Sequence, residues 1–147
     1  METPIELIQN TSDKVAKFLS EGAFEYVKFD DNTFTVTHGS TQIMILVRPY
    51  TDKESIVEFT ANIVFEAEMS NYLLHFLLRK NSELHFGAFG LLFDGTISFN
   101  YSLAGTNLDA NEFSTALESV AIISDYYDDE IIKMAGGKTF AEINVDE

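Results

Sequence analysis

Apolar residues in the first part of the chain recur at the spacing of a helix. Between residues 3 and 22 they are separated by about three or four positions, or by twice that, and so fall roughly on one face: Ile5, Ile8, Val15, Phe18 and Leu19. Thr3 is placed to cap this helix, Pro4 suits its first position, and Glu6 completes a capping box. Gly22 predicts its end.

The pattern then changes to short runs of strand-forming residues separated by turns. We predict four strands, at about residues 24–30, 33–38, 41–47 and 56–65. In the second, Phe34, Val36 and His38 share one face. The third run, TQIMILV, is continuously apolar, which predicts a central strand buried on both faces. Short turns between the strands indicate an antiparallel meander.

The stretch from Tyr72 to Leu103 combines a helix and a hairpin, and the rest of the chain is expected to pack around it. Apolar residues surround almost the whole helix, which we predict from Glu66 to Lys80: Tyr72, Leu73, Leu74, Phe76, Leu77 and Leu78. Such a helix is buried on more than one side. We expect it to pack on the sheet and on a second surface, either another helix or a second copy of the chain.

A β-hairpin is predicted next, with strands at about 87–93 and 96–103 and a type I′ turn at Asp94-Gly95. A third helix follows from Asp109 to Met134, with Asp109 and Glu112 as a capping box. It ends at Gly136, and residues 138–147 are expected to be a frayed acidic tail.

The order of the predicted elements, α-β-β-β-β-α-β-β-α, indicates the fold class. Without repeats or linkers, it predicts an α+β fold in a single domain, residues 1–147, with helices against one antiparallel sheet of about five to six strands.

Charge and composition narrow the classes of partner. The chain has 9 Lys and Arg against 24 Asp and Glu, a formal net charge of -15, and no cysteine. This charge disfavours nucleic acids and anionic membranes as partners. The absence of cysteine excludes disulfides, thiolate metal sites and cysteine nucleophiles. The first residues do not resemble a signal peptide and no apolar run is long enough to span a bilayer, so we expect a soluble cytoplasmic protein.

No group of residues indicates catalysis or a cofactor. The three histidines, His38, His75 and His85, lack the spacing of a metal motif, and no serine lies in a nucleophile motif. The acidic run at residues 125–130 has carboxylates suited to Ca²⁺ or Mg²⁺. On a helix, however, Asp125 and Asp129 share a face while Asp128 points elsewhere, so a solvated acidic face is the favoured interpretation. We predict a protein that is not an enzyme and has no metal or cofactor site.

The better candidate site is an apolar surface on the helix and the hairpin. Its residues exceed what one face of a sheet needs: Tyr72, Leu73, Phe76, Phe89, Leu91, Phe99 and Tyr101. Aromatic side chains provide contact area at protein interfaces, and we predict a dimer interface or peptide-binding groove here. Ordinary core packing is the alternative for each of these residues.

The same stretch also carries a family resemblance. A leucine-rich helix, the run Phe86-Gly87-Ala88-Phe89-Gly90-Leu91, the Asp94-Gly95 turn, a strand ending in Tyr101-Ser102-Leu103 and a long helix with an acidic, tyrosine-bearing second half resemble the YbjN family. That family shares the fold of type III secretion chaperones of the CesT/Tir type. The similarity is best from Tyr72 to about Tyr127.

The resemblance implies a twisted antiparallel sheet, homodimerisation, and chaperone-like or regulatory binding of peptides or proteins without catalysis. We expect the bound partner to be an apolar or amphipathic protein segment. The alternative is a regulatory protein that binds a small ligand or a divalent metal through the acidic third helix and the histidines.

Overall fold

The computed structural model describes residues 2–145, and the side chains of residues 2–143. This part of the chain forms six strands: β1 (Tyr26–Asp30), β2 (Thr33–His38), β3 (Thr41–Pro49), β4 (Ser55–Val64), β5 (Ala88–Leu91) and β6 (Ile97–Ala104). Its helices are α1 (Ile5–Glu21), α2 (Asn71–Glu83), α3 (Ala110–Ala135) and the short α4 (Phe140–Val145). The predicted α+β class and the order of its nine elements are confirmed, and α4 is an addition.

All six strands form one antiparallel sheet in the order β1-β2-β3-β4-β6-β5, so β1 and β5 are its edges. One row of directly paired residues across the sheet is mainly apolar: Tyr26, Val36, Ile43, Ala61, Phe99 and Phe89. The neighbouring row, on the opposite face, is mostly polar or small: Val27, Thr35, Met44, Thr60, Asn100 and Ala88. The sheet therefore has a core face and an open face.

Helices α1 and α3 cover the core face. The ring of Phe113 on α3 lies 5.6 Å from that of Phe18 on α1 and 5.5 Å from that of Phe59 on β4. Phe59 and Phe113 are both buried. This aromatic contact joins the two helices to the centre of the sheet.

Strand β3 is not buried on both faces, and that prediction is wrong. Ile43, Ile45 and Val47 are buried, but Met44 is 39% exposed and Leu46 is half-buried. Since Met44 and Leu46 are themselves apolar, the sequence hides the alternation between the two faces of the sheet. The covering helices lie on the core face, so the strand has one open side.

The first helix begins without the predicted side-chain cap. Pro4 is its N-cap residue and provides no side-chain hydrogen bond. The hydroxyl of Thr3 instead donates to the carbonyl of Thr51 at 2.6 Å and accepts from the N–H of Tyr50 at 2.8 Å. Thr3 therefore ties the start of the chain to the β3–β4 connection.

Helix α2 begins at Asn71, five residues later than predicted. Ser70 caps it by accepting a hydrogen bond from the N–H of Leu73 at 3.1 Å. The preceding segment pairs with the end of α3 and the residues after it, because the N–H of Phe65 donates to Lys138 O at 2.8 Å and that of Glu68 to Ala135 O at 2.9 Å. These contacts keep residues 65–69 out of the helix.

The predicted β5–β6 hairpin is present, but its turn differs from the expected type. A type I′ turn needs positive φ at Asp94 as well as Gly95, whereas only Gly95 has it, at 90°. The N–H of Gly95 donates to Leu92 O at 3.0 Å, and the N–H of Leu92 donates to Thr96 O at 2.8 Å. The loop therefore has three residues, which brings Phe93 into the turn.

The two ends of α3 agree with the prediction. Asp109 and Glu112 form a reciprocal capping box, and Gly136 ends the helix with a φ of 70°. In the segment expected to be a frayed tail, Lys138 makes an isolated β-bridge with Phe65. Thr139 is buried, and its hydroxyl accepts from the N–H of Glu142 at 3.2 Å within α4. Asp146 and Glu147 lie outside the described residues.

Candidate functional surface

Helix α2 has one covered side and one uncovered side. Leu73 and Leu77 are buried, and Leu77 is only 7% exposed. Tyr72 and Leu78 are 71% and 70% exposed, and Leu74 is also exposed. The chain itself thus provides one of the two packing surfaces expected for this helix, and the apolar side chains on its other side face outward.

Three of the seven predicted surface residues belong to the core, so the surface prediction is wrong for them. Leu73 and Phe99 are fully buried, and Phe89 is nearly so. The ring of Phe89 lies 5.0 Å from that of Phe99 and 5.4 Å from that of Tyr127 on α3. Because Phe89 and Phe99 are paired on the core face, α3 covers them.

The other four predicted residues are accessible to different extents. Tyr72 and Leu91 are exposed, whereas Phe76 and Tyr101 are half-buried. The Phe76 ring lies 6.3 Å from that of Tyr127. The Tyr101 ring lies 5.8 Å from that of the exposed Phe86. Phe76 therefore packs beside the half-buried Tyr127, whereas Tyr101 lies beside an exposed apolar side chain.

Further exposed apolar residues lie on α2 and on the hairpin against which it packs. We define the α2–hairpin surface by its exposed large apolar side chains: Tyr72, Leu74, Leu78, Phe86, Leu91, Leu92 and Phe93. Leu92 and Phe93 were not among the predicted residues, although a Leu-Phe pair directly before an Asp-Gly turn was a usable signal. An exposed apolar surface rimmed by polar residues is typical of an interaction site.

The charge of this region differs from that of the remaining chain. Within residues 69–93 the charged residues are Arg79, Lys80 and Glu83, a formal net charge of +1, so the other residues together carry -16. Lys80 and Glu83 form an ion pair at 2.9 Å, and the Lys80 ammonium also lies 5.6 Å from the centre of the Phe76 ring. The segment that carries the α2–hairpin surface is therefore not acidic, although the chain as a whole is strongly acidic.

A side chain of α2 occupies part of the exposed edge of β5. The Asn81 amide donates to Phe89 O at 3.2 Å, and its oxygen accepts from Phe89 N–H at 2.7 Å. Asn81 thus satisfies the same two backbone groups that a neighbouring strand would use. This fixes α2 against the sheet edge and leaves its apolar outer side uncovered.

The three histidines, which were considered as candidate metal ligands, do not form one site. His38 packs beside Phe24 with ring centres 5.8 Å apart, while His75 and His85 are exposed on other elements. Within residues 2–145 no group of three histidine or carboxylate side chains is placed to hold a metal ion. Nor does any helix in this part of the chain have the length and hydropathy needed to cross a membrane.

The acidic run on α3 is not uniformly solvated, contrary to the prediction. Asp128 is fully buried, and Asp125 is half-buried. Both carboxylates contact Ser40 in the β2–β3 turn, because positions three apart on a helix are neighbours. Burial is the main cause that raises the pKa of Asp128 to about 6. The hydrogen bond from Ser40 acts in the opposite direction, and the charges of Asp129 and Asp125 also raise the pKa.

Comparisons with known proteins agree with the fold and with the resemblance. Residues 9–143 match the family described as "T3SS (YopN, CesT) and YbjN peptide-binding chaperone 1". A solved structure, "Crystal Structure of the ExsC-ExsE Complex", contains a similar chain with a TM-score of 0.54 and 13% identity, covering 89% of this chain and 97% of that one. No curated protein matches. Because the family match extends over almost the whole sequence, this chain belongs to the T3SS and YbjN peptide-binding chaperone family.

Proposed function

We propose that this protein is a non-enzymatic, cytoplasmic peptide-binding chaperone or regulator that acts as a homodimer. The observation that carries the proposal is the α2–hairpin surface, which one copy of the chain leaves uncovered. Membership of a peptide-binding chaperone family supports the binding of protein segments. The dispersed histidines and the lack of a described metal cluster offer little support for the metal-binding alternative.

Charge favours a second copy as the occupant of the α2–hairpin surface. Two chains of net charge -15 repel one another, and the repulsion is weakest where the local charge is not acidic. Residues 69–93 meet this condition and also provide exposed aromatic and leucine side chains. A symmetric contact would therefore bring apolar groups together while it keeps the acidic surfaces apart.

The open face of the sheet is then available to a client segment. Val27 and Met44 lie on this face in one row with Thr35 between them, and both are exposed. The exposed acids Glu25 and Asp31 directly precede and follow the edge strand β1, and Asp31 also forms an ion pair with Lys28 at 3.7 Å. This combination suits an amphipathic segment whose apolar residues contact Val27 and Met44 and whose flanks carry Lys or Arg.

Peptide binding can be tested with fluorescent peptides that differ only in their flanks. We expect a peptide with alternating apolar residues and Lys or Arg flanks to bind saturably, measured by fluorescence anisotropy. The same core with Asp flanks should bind at least about tenfold more weakly, because each unfavourable charge contact costs on the order of 1 kcal/mol. Met44→Asp should weaken binding, whereas Ile122→Asp, at an exposed position on α3, should not.

The outcomes of this test separate the parts of the proposal. Equal binding of both peptides would contradict the role of Glu25 and Asp31 in attracting basic flanks. Equal binding by Met44→Asp and the parent protein would contradict the open-face site. The absence of saturable binding by any such peptide would contradict the chaperone-like function itself.

A further inference from the structure

The β2–β3 turn is held against α3 by one hydroxyl and two carboxylates. Ser40 donates its backbone N–H to Asp125 Oδ1 at 2.9 Å, and its Oγ lies 2.9 Å from the same oxygen. Ser40 Oγ is also hydrogen-bonded to Asp128 Oδ2. The carbonyl of Ser40 accepts from the N–H of Ala141 in α4 at 3.3 Å. Ser40 is thus a junction between the turn, α3 and α4.

The contact between the turn and α3 leaves little free space. Gly39 has a φ of 57°, and a Cβ atom at this position would collide with the carboxylate of Asp125. The carboxylate of Asp125 therefore sits directly against the backbone of the turn. Any added repulsion between the carboxylates of Asp125 and Asp128, which both contact Ser40, therefore acts on a tightly packed contact.

The number of protons at this junction determines whether its hydrogen bonds can all form. The Ser40 hydroxyl has one proton but contacts an oxygen of each carboxylate. If both carboxylates are ionised, that proton can serve only one of them, and the other contact joins two oxygens without a proton. If Asp128 is protonated, its O–H donates to Ser40 Oγ and the Ser40 O–H donates to Asp125 Oδ1.

The surroundings of Asp128 favour the protonated arrangement. Its side chain is fully buried, and its Oδ1 has no hydrogen-bond partner among the described residues. An ionised carboxylate in such a position pays a large desolvation cost. The charged side chains that act on it, Asp125 and Asp129, are both acidic. Hydrogen bonds from Ser40 and from the Asp129 backbone favour the ionised form, but burial is the largest effect and the pKa is raised overall.

We propose that Asp128, Ser40 and Asp125 form a proton-dependent latch, closed when Asp128 is protonated, that holds the β2–β3 turn and α4 against α3. When Asp128 releases its proton to solvent, the hydrogen bond from its O–H to Ser40 is lost and repulsion from Asp125 and Asp129 increases. The turn and the Ser40–Ala141 contact then open more often. The inference is independent of peptide binding and of the dimer.

The latch predicts an unusual titration in the intact protein. We expect the Asp128 carboxyl carbon, followed by NMR, to titrate near pH 6, well above the 3.8 of an ordinary aspartate. Amide hydrogen exchange should show larger protection factors for Ser40 and Ala141 below this midpoint than above it. Gly95, whose N–H bonds within the distant hairpin turn, provides the control amide. An Asp128 midpoint near 4, or protection that does not follow it, would overturn the proposal.

Two substitutions test the direction of the effect. For Asp128 the folded-state pKa is raised, so its stabilising contribution is complete below about pH 4 and is lost as the pH rises to about 6. Asp128→Asn keeps a donor for Ser40 and cannot ionise. We therefore expect the melting temperature of Asp128→Asn minus that of the parent protein to increase as the pH is raised from 4.5 to 7. Asp125→Asn should lower the Asp128 midpoint. A constant difference in melting temperature across this range would contradict the latch.

Discussion

Replacing Phe113 by alanine is expected to lower the free energy of unfolding by about 3–5 kcal/mol, the usual cost of removing a buried phenylalanine ring. Phe113 is almost completely buried and contacts Phe18 on α1 and Phe59 on β4. Its removal leaves a cavity where two helices meet the sheet. Urea denaturation followed by far-UV circular dichroism measures the change.

A matched substitution on the same helix provides the control for Phe113→Ala. Ile122 is 61% exposed, so Ile122→Ala should change the free energy of unfolding by about 0.5 kcal/mol or less. Similar losses for both variants would show that the core is not centred on the contact between α3 and the sheet.

The neighbouring leucines Leu77 and Leu78 are expected to respond very differently to truncation. Leu77 lies on the buried side of α2, so Leu77→Ala should cost about 2–5 kcal/mol. Leu78 is exposed, so Leu78→Ala should cost about 0.5 kcal/mol or less in dilute solution. Urea denaturation of both variants at the lowest practical protein concentration separates this effect from any contribution of self-association.

This pair of variants tests the assignment of the covered side of α2. A loss below about 1 kcal/mol for Leu77→Ala would mean that the core side of the helix is misplaced. A loss of several kcal/mol for Leu78→Ala at high dilution would mean that its side chain is buried within a single chain.

Local sequence signals predicted the fold class and the order of elements, because the hydrophobic spacing, caps and turn residues that identify each helix or strand lie within it or directly beside it. The Asp109–Glu112 capping box and Gly136 predicted both ends of α3 within a residue or two. The start of α2 could not be predicted in this way. It is determined by backbone hydrogen bonds from Phe65 and Glu68 to Lys138 and Ala135, which are distant in the sequence. No pattern in the local sequence indicates these hydrogen bonds.

The candidate surface was predicted only in part, because apolar character does not distinguish core from interface. Phe89 and Phe99 are as apolar as Leu91, but their register with Ala61 and the position of α3 bury them. Asp128 shows the converse problem. An acidic residue among other acids was expected to be solvated, yet tertiary contact with the β2–β3 turn buries it.

The central claim, that a second copy covers the α2–hairpin surface, is tested most directly by light scattering on a size-exclusion column over a tenfold range of concentration. We expect the parent protein to have twice the chain mass of 16.5 kDa throughout. Leu78→Asp should elute with the mass of one chain, because two copies would each bury an unpaired charge, while Ile122→Asp should remain dimeric. A parent protein of 16.5 kDa at every concentration, or a dimer of Leu78→Asp as stable as the parent's, would contradict the account.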